Sequence, residues 1–194
     1  MTPTIAKFLW LGCVVAWWLI RFPYERKAKK AAVTASRRDR REWILLGISL
    51  SGLGIVPIVY VFTDFPAFAD RPFIPLLAWV GVVPALASLG LFWRTHRELG
   101  RNWSVSLEVR DKHELITGGV YRYVRHPMYS AFFLWAVAQF LLLPNWAAGL
   151  SGLVGFGILY SFRVGREEQL MLDAFGDQYR DYMERTARIV PWIH

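Results

Sequence analysis

The stretch Phe73-Ile74-Pro75-Leu76-Leu77-Ala78-Trp79-Val80-Gly81-Val82-Val83-Pro84-Ala85-Leu86-Ala87-Ser88-Leu89-Gly90-Leu91-Phe92-Trp93 runs for 21 residues without a charge. A helix rises about 1.5 Å per residue, so this run covers the roughly 30 Å hydrocarbon core of a bilayer. Gly81, Pro84 and Gly90 do not argue against that reading, because neighbouring helices re-satisfy the backbone groups such residues expose. Upstream, Trp43–Phe62 and Pro3–Ile20 have similar length and character. Downstream, Ser130–Leu143 and Trp146–Phe162 are shorter and are parted only by Pro144-Asn145. The last two read together as a helical hairpin, their short length absorbed by local thinning of the bilayer or by interfacial residues. The expected fold is all-α and integral to the membrane, with five transmembrane helices, a long loop before the hairpin and a C-terminal helix. Residues 1–194 read as one domain, with three N-terminal spans in 1–93 and a C-terminal part in 94–194 that holds the hairpin 130–162.

Composition agrees. The chain is 55% hydrophobic and 20% charged, with a mean hydropathy of +0.28. A soluble domain of 194 residues cannot bury that much apolar surface. Disorder is excluded on the same ground. Ten Trp, eight Tyr and thirteen Phe supply aromatic belts for two interfaces. Cys13 stands alone, which excludes an intrachain disulfide framework and a Cys-based zinc cluster. Ala148 with Gly152, and Ser151 with Gly155, place small residues four apart for close helix approach.

The net charge of +8 is not spread evenly. Lys and Arg number nine in 21–41, seven in 94–128 and five in 163–194, against only Lys7 and Arg71 elsewhere. Five crossings put the three basic segments on one side, which the positive-inside rule makes cytoplasmic. The N-terminus then faces out. Basic residues that hug span ends meet anionic headgroups, so nucleic acid is not the expected partner. Pro3–Ile20 has one basic residue, Lys7, before its apolar run and no clear small-residue cleavage site, so it does not read as a removable signal.

The cytoplasmic segments carry the candidate chemistry. His113-Glu114-Leu115-Ile116-Thr117-Gly118-Gly119-Val120-Tyr121-Arg122-Tyr123-Val124-Arg125-His126-Pro127-Met128-Tyr129 combines a glycine pair, three tyrosines and a helix start at Pro127. Gly118-Gly119 allows close backbone approach to a ligand. Tyr121, Tyr123 and Tyr129 offer faces and hydroxyls suited to an adenine and a ribose. Free N–H groups at the helix start suit a carboxylate. An interfacial linker rich in belt aromatics fits the same composition. Arg163 and Glu167 share a helix face, as a surface ion pair also would. Leu172, Phe175, Tyr179 and Tyr182 recur at helical spacing, which predicts an amphipathic helix against the bundle or the membrane. Val190-Pro191-Trp192-Ile193 forms an apolar end. His-based zinc motifs, a nucleophile elbow, a Walker loop and a Rossmann glycine motif are all lacking in the sequence.

Gly119-Val120-Tyr121, Arg125-His126-Pro127-Met128-Tyr129, Arg166-Glu167-Glu168, and Phe175-Gly176 with Tyr179 and Tyr182 together resemble the isoprenylcysteine carboxyl methyltransferase family, among the integral-membrane phospholipid methyltransferases. The resemblance covers about residues 94–192. It implies S-adenosylmethionine as donor, bound on the cytoplasmic side under a lid-like tail. By motif, His113, Glu114, Leu115, Ile116, Tyr121, His126, Pro127, Met128 and Tyr129 would contact the donor, Glu167 would hold its ammonium, and Arg163 would orient the acceptor carboxylate. Arg163 and Glu167 are thus the candidate catalytic pair, with no metal. The acceptor would be a prenylated or isoprenoid lipid entering from the bilayer. A carboxylate acceptor is already ionised at neutral pH, so no general base is required. An amino-lipid N-methyltransferase, with His126 or Glu168 as base, remains open. So do an NADPH-dependent sterol-type reductase and a non-catalytic membrane scaffold. Oligomeric state and the acceptor's identity are not legible.

Overall fold

The computed structural model describes residues 1–28, 33–36, 39–100, 108–110 and 115–193. His113 and Glu114, expected at the cofactor site, lie outside these described residues.

Helix α1 spans Pro3–Ala28, longer than the apolar run ending at Ile20, so its last two turns carry Arg21 and Arg26 past the apolar zone. Helix α2 (Arg40–Leu50) passes through a π-helical turn at Ser51–Ile55 into α3 (Val56–Thr63). The wider turn stands just before Pro57, which has no N–H to offer the preceding helix. Helix α4 covers Pro75–Leu99, α5 Pro127–Leu142, and α6 Trp146–Phe175. Four helical stretches, Pro3–Arg26, Arg40–Thr63, Pro75–Leu99 and Trp146–Phe175, are long and apolar enough to cross a membrane. Helix α5, at 16 residues, is apolar but shorter.

Among the described residues the fold is helical, with one short antiparallel ladder in its loops, β1 (Val33–Ser36) with β2 (Glu108–Arg110). One expectation is corrected. The segment after the last apolar run is not one amphipathic helix. Helix α6 continues through Arg163 and Glu167 to Phe175, and Gly176, with φ 55, ends it. A separate α7 then runs Asp177–Arg185. Leu172 and Phe175 therefore belong to one helix, Tyr179 and Tyr182 to another. A left-handed φ costs glycine nothing and other residues dearly, so the break falls where the sequence supplies that residue.

Packing runs in a chain: α4 on α5, α5 on α6, α6 on α2 and α3, and α1 on α4 and α5. The small residues of α6 have the expected use. A Cβ on Gly155 would stand 2.8 Å from the Ile48 carbonyl oxygen, and one on Gly52 would stand 2.1 Å from that of Ser151. Gln139, fully buried in α5, donates to the Gly52 and Ala148 carbonyls at 3.1 and 2.7 Å. At one end of the bundle Lys7 pairs with Asp64, and Asn145 donates to Asp70 at 2.8 Å. At the other end the tail docks on the α5 start, where Arg125 and His126 N–H groups donate to the Ala187 and Arg188 carbonyls.

Candidate active site

A cavity of about 530 Å³ fills the tail end of the bundle and reaches into its middle. Three helices contribute at helical spacing: Val14, Trp17 and Arg21 from α1, Trp43, Leu46 and Leu50 from α2, Phe156, Leu159, Arg163 and Glu167 from α6. The polarity is graded. Tyr121, His126, Tyr129, Arg163 and Glu167 surround the tail end, while Leu53, Phe92, Phe132, Trp135 and Phe156 line the deeper arm. The gradient follows from α6. Its 30 residues make about 45 Å, so a helix that crosses the core still carries its last turns into the headgroup zone, where charges are tolerated.

Helix α5 begins at Pro127, with His126 at the cap position. The first-turn N–H groups of Met128 and Tyr129 have no helical acceptor, and both residues line the cavity. The His126 ring stacks on Tyr129, 5.3 Å between centroids. The Tyr129 hydroxyl donates to Glu167 Oε2 at 2.5 Å. Arg163 Nε lies 3.7 Å from that same oxygen, and His126 Nδ1 lies 3.8 Å from Oε1. Glu167 is one-third exposed toward the cavity, whereas Arg163 is buried in its wall.

The adjacent Glu168 points elsewhere. It accepts from Arg125 Nη2 at 3.1 Å, His126 Nε2 at 3.3 Å and Arg188 Nη2 at 2.8 Å, all within the tail contact. A carboxylate that meets two guanidiniums is held as an anion and is a poor proton acceptor. The clamp continues through Arg125 Nη1 to the Met183 carbonyl at 2.9 Å and Ser130 Oγ to that of Ile189 at 2.5 Å. Tyr182 donates to the Tyr121 carbonyl at 2.5 Å. Burial pushes the hydroxyls of Tyr121, Tyr179 and Tyr182 above the ordinary tyrosine range, so all three remain protonated donors. Hydrogen bonding to Glu168 raises Arg188 and fixes its charge.

Of the residues expected from sequence, Leu115, Ile116, Tyr121, His126, Pro127, Met128, Tyr129, Arg163 and Glu167 all line this one cavity. Tyr123 does not: it is exposed beside Arg122. Gly119, at φ 59, turns the chain against Glu98 rather than a ligand, and Glu98 accepts from Val120 N–H at 2.8 Å. Tyr179 and Tyr182, expected as a packing stripe, line the cavity as well. Sequence reasoning missed Arg188, Glu98 and Glu42. The last is a fully buried carboxylate of α2 lying 3.4 Å from Arg163 Nη1.

Fold and cavity define the class: an integral, multi-pass helical membrane protein whose charged pocket opens into an apolar one. The model of the isoprenylcysteine carboxyl methyltransferase family matches residues 79–173, and through that stretch this chain is related to the family. Among curated relatives, a protein-S-isoprenylcysteine O-methyltransferase of Dictyostelium discoideum is 36% identical over 94 residues, 46% of this chain and 38% of its own length. That of Schizosaccharomyces pombe is 34% identical over 109 residues, 54% of this chain and 46% of its own. The Homo sapiens protein is 33% identical over 92 residues, 47% of this chain and 32% of its own. The matched stretch thus spans less than half of each of these relatives. A solved structure of a eukaryotic intramembrane Ras methyltransferase, isoprenylcysteine carboxyl methyltransferase, superimposes over all of this chain and 69% of that one, with a TM-score of 0.65. At 22% identity that likeness shows the fold.

Proposed function

We propose that residues 1–194 form one methyltransferase domain that moves a methyl group from S-adenosylmethionine to the carboxylate of a prenylated or isoprenoid lipid. The observation that carries this reading is the continuity of the cavity, which joins the charged end at Glu167 and Arg163 to the apolar arm at Trp135 and Phe156.

The residues fit the donor. Glu167 presents a carboxylate to the cavity for the amino-acid ammonium, and the Met128 and Tyr129 N–H groups suit its carboxylate. Tyr121 and Tyr129 supply aromatic faces. His113 and Glu114, on the family's pattern, would extend this contact. When bound, the donor supplies an electrophilic methyl on a sulfonium centre. Everything else falls to the chain. Arg163 holds the acceptor carboxylate by charge-assisted hydrogen bonds. The tail clamped on Glu168 keeps water from the charged end, and a water-poor site favours a step in which opposite charges cancel. Alignment of this kind is worth about 7–11 kcal/mol of a bimolecular barrier. No base is required for a carboxylate acceptor, and Glu168, occupied by Arg125 and Arg188, offers none.

The acceptor's lipid chain enters sideways between α1 and α2. Both helices line the cavity, they pack on different partners, and Trp43 and Leu50 are at once lining and exposed. Helix α5 crosses as the fourth of five spans, in a hairpin with α6; on this reading the positive-inside rule puts the basic segments and the site on the cytoplasmic side and the N-terminus outside.

The test is calorimetric binding of S-adenosylhomocysteine to the detergent-purified chain, with NADPH and Glu167→Ala as controls. A methyl-transfer assay on a prenylcysteine accompanies it. Saturable binding lost in the variant, with a base-labile methylated product, is the expected result. NADPH binding in its place would overturn the reading in favour of a reductase.

A further inference from the structure

Glu42 lies outside the stretch 79–173 that carries the family's pattern, in the first turn of α2. It is 1% exposed, more deeply buried than Arg163, Glu167 or Glu168, and does not itself line the cavity. Among the described residues, neither of its carboxylate oxygens has a hydrogen-bond partner. Burial of a lone carboxylate is unfavourable unless a cation answers it, and the cation here is Arg163, 3.4 Å away.

The pair is not isolated. Asp39, three residues before Glu42, caps α2 by accepting from the Glu42 N–H at 2.8 Å. It also pairs with Arg166, three residues after Arg163, at 2.8 Å. Residues three apart share a helix face, so the two pairs form an antiparallel rung between α2 and α6. The hydrogen bond from Arg166 holds Asp39 below the ordinary carboxylate range, so this outer pair stays charged at neutral pH. The Arg163 guanidinium therefore stands between two carboxylates: Glu42 behind the cavity wall, and Glu167 inside the cavity at 3.7 Å.

We propose that Glu42 is a positioning residue for the acceptor: from behind the wall it holds Arg163 where the acceptor carboxylate must meet it, against the pull of Glu167. With Glu42 neutralised, the guanidinium shifts toward Glu167 and the acceptor loses its anchor, while the Tyr129 hydrogen bond still directs the Glu167 carboxylate at the cavity for the donor's ammonium. The N-terminal spans thereby contribute to the chemistry and not only to the membrane anchor. This rests on the function proposed above.

The test uses Glu42→Gln and Glu42→Asp in the full detergent-purified chain. The first readout needs no turnover: the rate at which phenylglyoxal modifies Arg163, followed by mass spectrometry. It should change about fivefold or more in Glu42→Gln and stay near wild type in Glu42→Asp, which keeps the charge. The second is methyl transfer, where Glu42→Gln should raise the acceptor KM about tenfold while S-adenosylhomocysteine affinity moves less than about twofold. In an Arg163→Lys background the same substitution should add little, because coupled residues are not additive. Unchanged Arg163 reactivity in folded Glu42→Gln overturns the proposal, as does an effect that multiplies with Arg163→Lys. Should Glu42→Gln not fold, a Glu42→Asp variant with altered Arg163 reactivity and lost transfer overturns it equally, and wild-type behaviour supports it. A wild-type chain that transfers no methyl refutes the functional reading, while the reactivity arm still decides the role of Glu42.

Discussion

The Tyr129 hydroxyl donates a 2.5 Å hydrogen bond to Glu167 Oε2 across the α5–α6 boundary. The same oxygen is 3.7 Å from Arg163, so Tyr129 competes with Arg163 for Glu167 and keeps that carboxylate directed at the cavity. A hydrogen bond to a charged group is worth about 1.5–3 kcal/mol. Tyr129→Phe should therefore weaken S-adenosylhomocysteine binding about tenfold or more, as Glu167 swings toward Arg163. Isothermal calorimetry reads this directly, and unaltered affinity would show that Tyr129 does not orient Glu167.

Arg163→Lys keeps the positive charge and removes the planar fork that matches a carboxylate. The expected outcome is a fall in turnover of about a hundredfold, the range seen when one preorganised donor is lost. Donor affinity should be nearly unchanged. Single-turnover kinetics with saturating donor separate the two, and a parallel loss of donor binding would place Arg163 on the wrong ligand.

Four spans were legible because uncharged or nearly uncharged runs of about 20 residues have few alternatives. The motif residues of 115–167 were legible as a set, and the cavity collects them. Partners distant in sequence were not. Glu168 is defined by Arg125 and Arg188, which lie 43 and 20 residues away, and neither spacing is a local signal. Glu42 reads in sequence as an acidic residue in the first turn of a helix, a favourable place for any carboxylate, and nothing local reveals Arg163 opposite. The break at Gly176 had a signal. A glycine after an apolar helical residue marks a helix end, but the aromatic spacing across it reads as continuous.

The clamp around Glu168 makes a stability prediction. Its side chain is 6% exposed and that of Arg188 44%, so the two members of one ion pair carry different weight. Glu168→Gln strands Arg125 with a neutral partner and should cost about 3 kcal/mol, a fall of roughly 10 °C in Tm. Arg188→Ala loses a half-solvated contact and should cost about 1 kcal/mol or less. Thermal unfolding in detergent ranks them, and equal costs would mean that burial of the carboxylate is not what secures the tail.

The contact of α6 with the π-helical turn can be tested in the same way. Gly52→Ala would put a methyl 2.1 Å from the Ser151 carbonyl oxygen, against rigid backbone. Overpacking of this sort costs about 1–3 kcal/mol. Gly157→Ala, with open space around its Cβ, is the control and should be neutral or stabilising by up to about 1 kcal/mol. A Gly52→Ala chain as stable as the control would mean that the two helices can separate without loss.

The number of crossings has a topological consequence. Asp70 pairs with Asn145, so the loop after α3 and the turn before α6 share one end of the bundle. Ala187 bridges Val124, so the tail shares the other end with the segment before α5. With five crossings, exposed Ala67 and exposed Ala174 face opposite sides of the membrane. Single cysteines at these two positions, in a Cys13→Ala background, should react differently with an impermeant maleimide. Ala67→Cys should label in intact cells, and Ala174→Cys only once the membrane is opened. Labelling of both from one side would mean that α5 does not cross. The 16 residues of α5, about 24 Å, would then dip into the bilayer and return, and the positive-inside argument for a cytoplasmic site would fall with it.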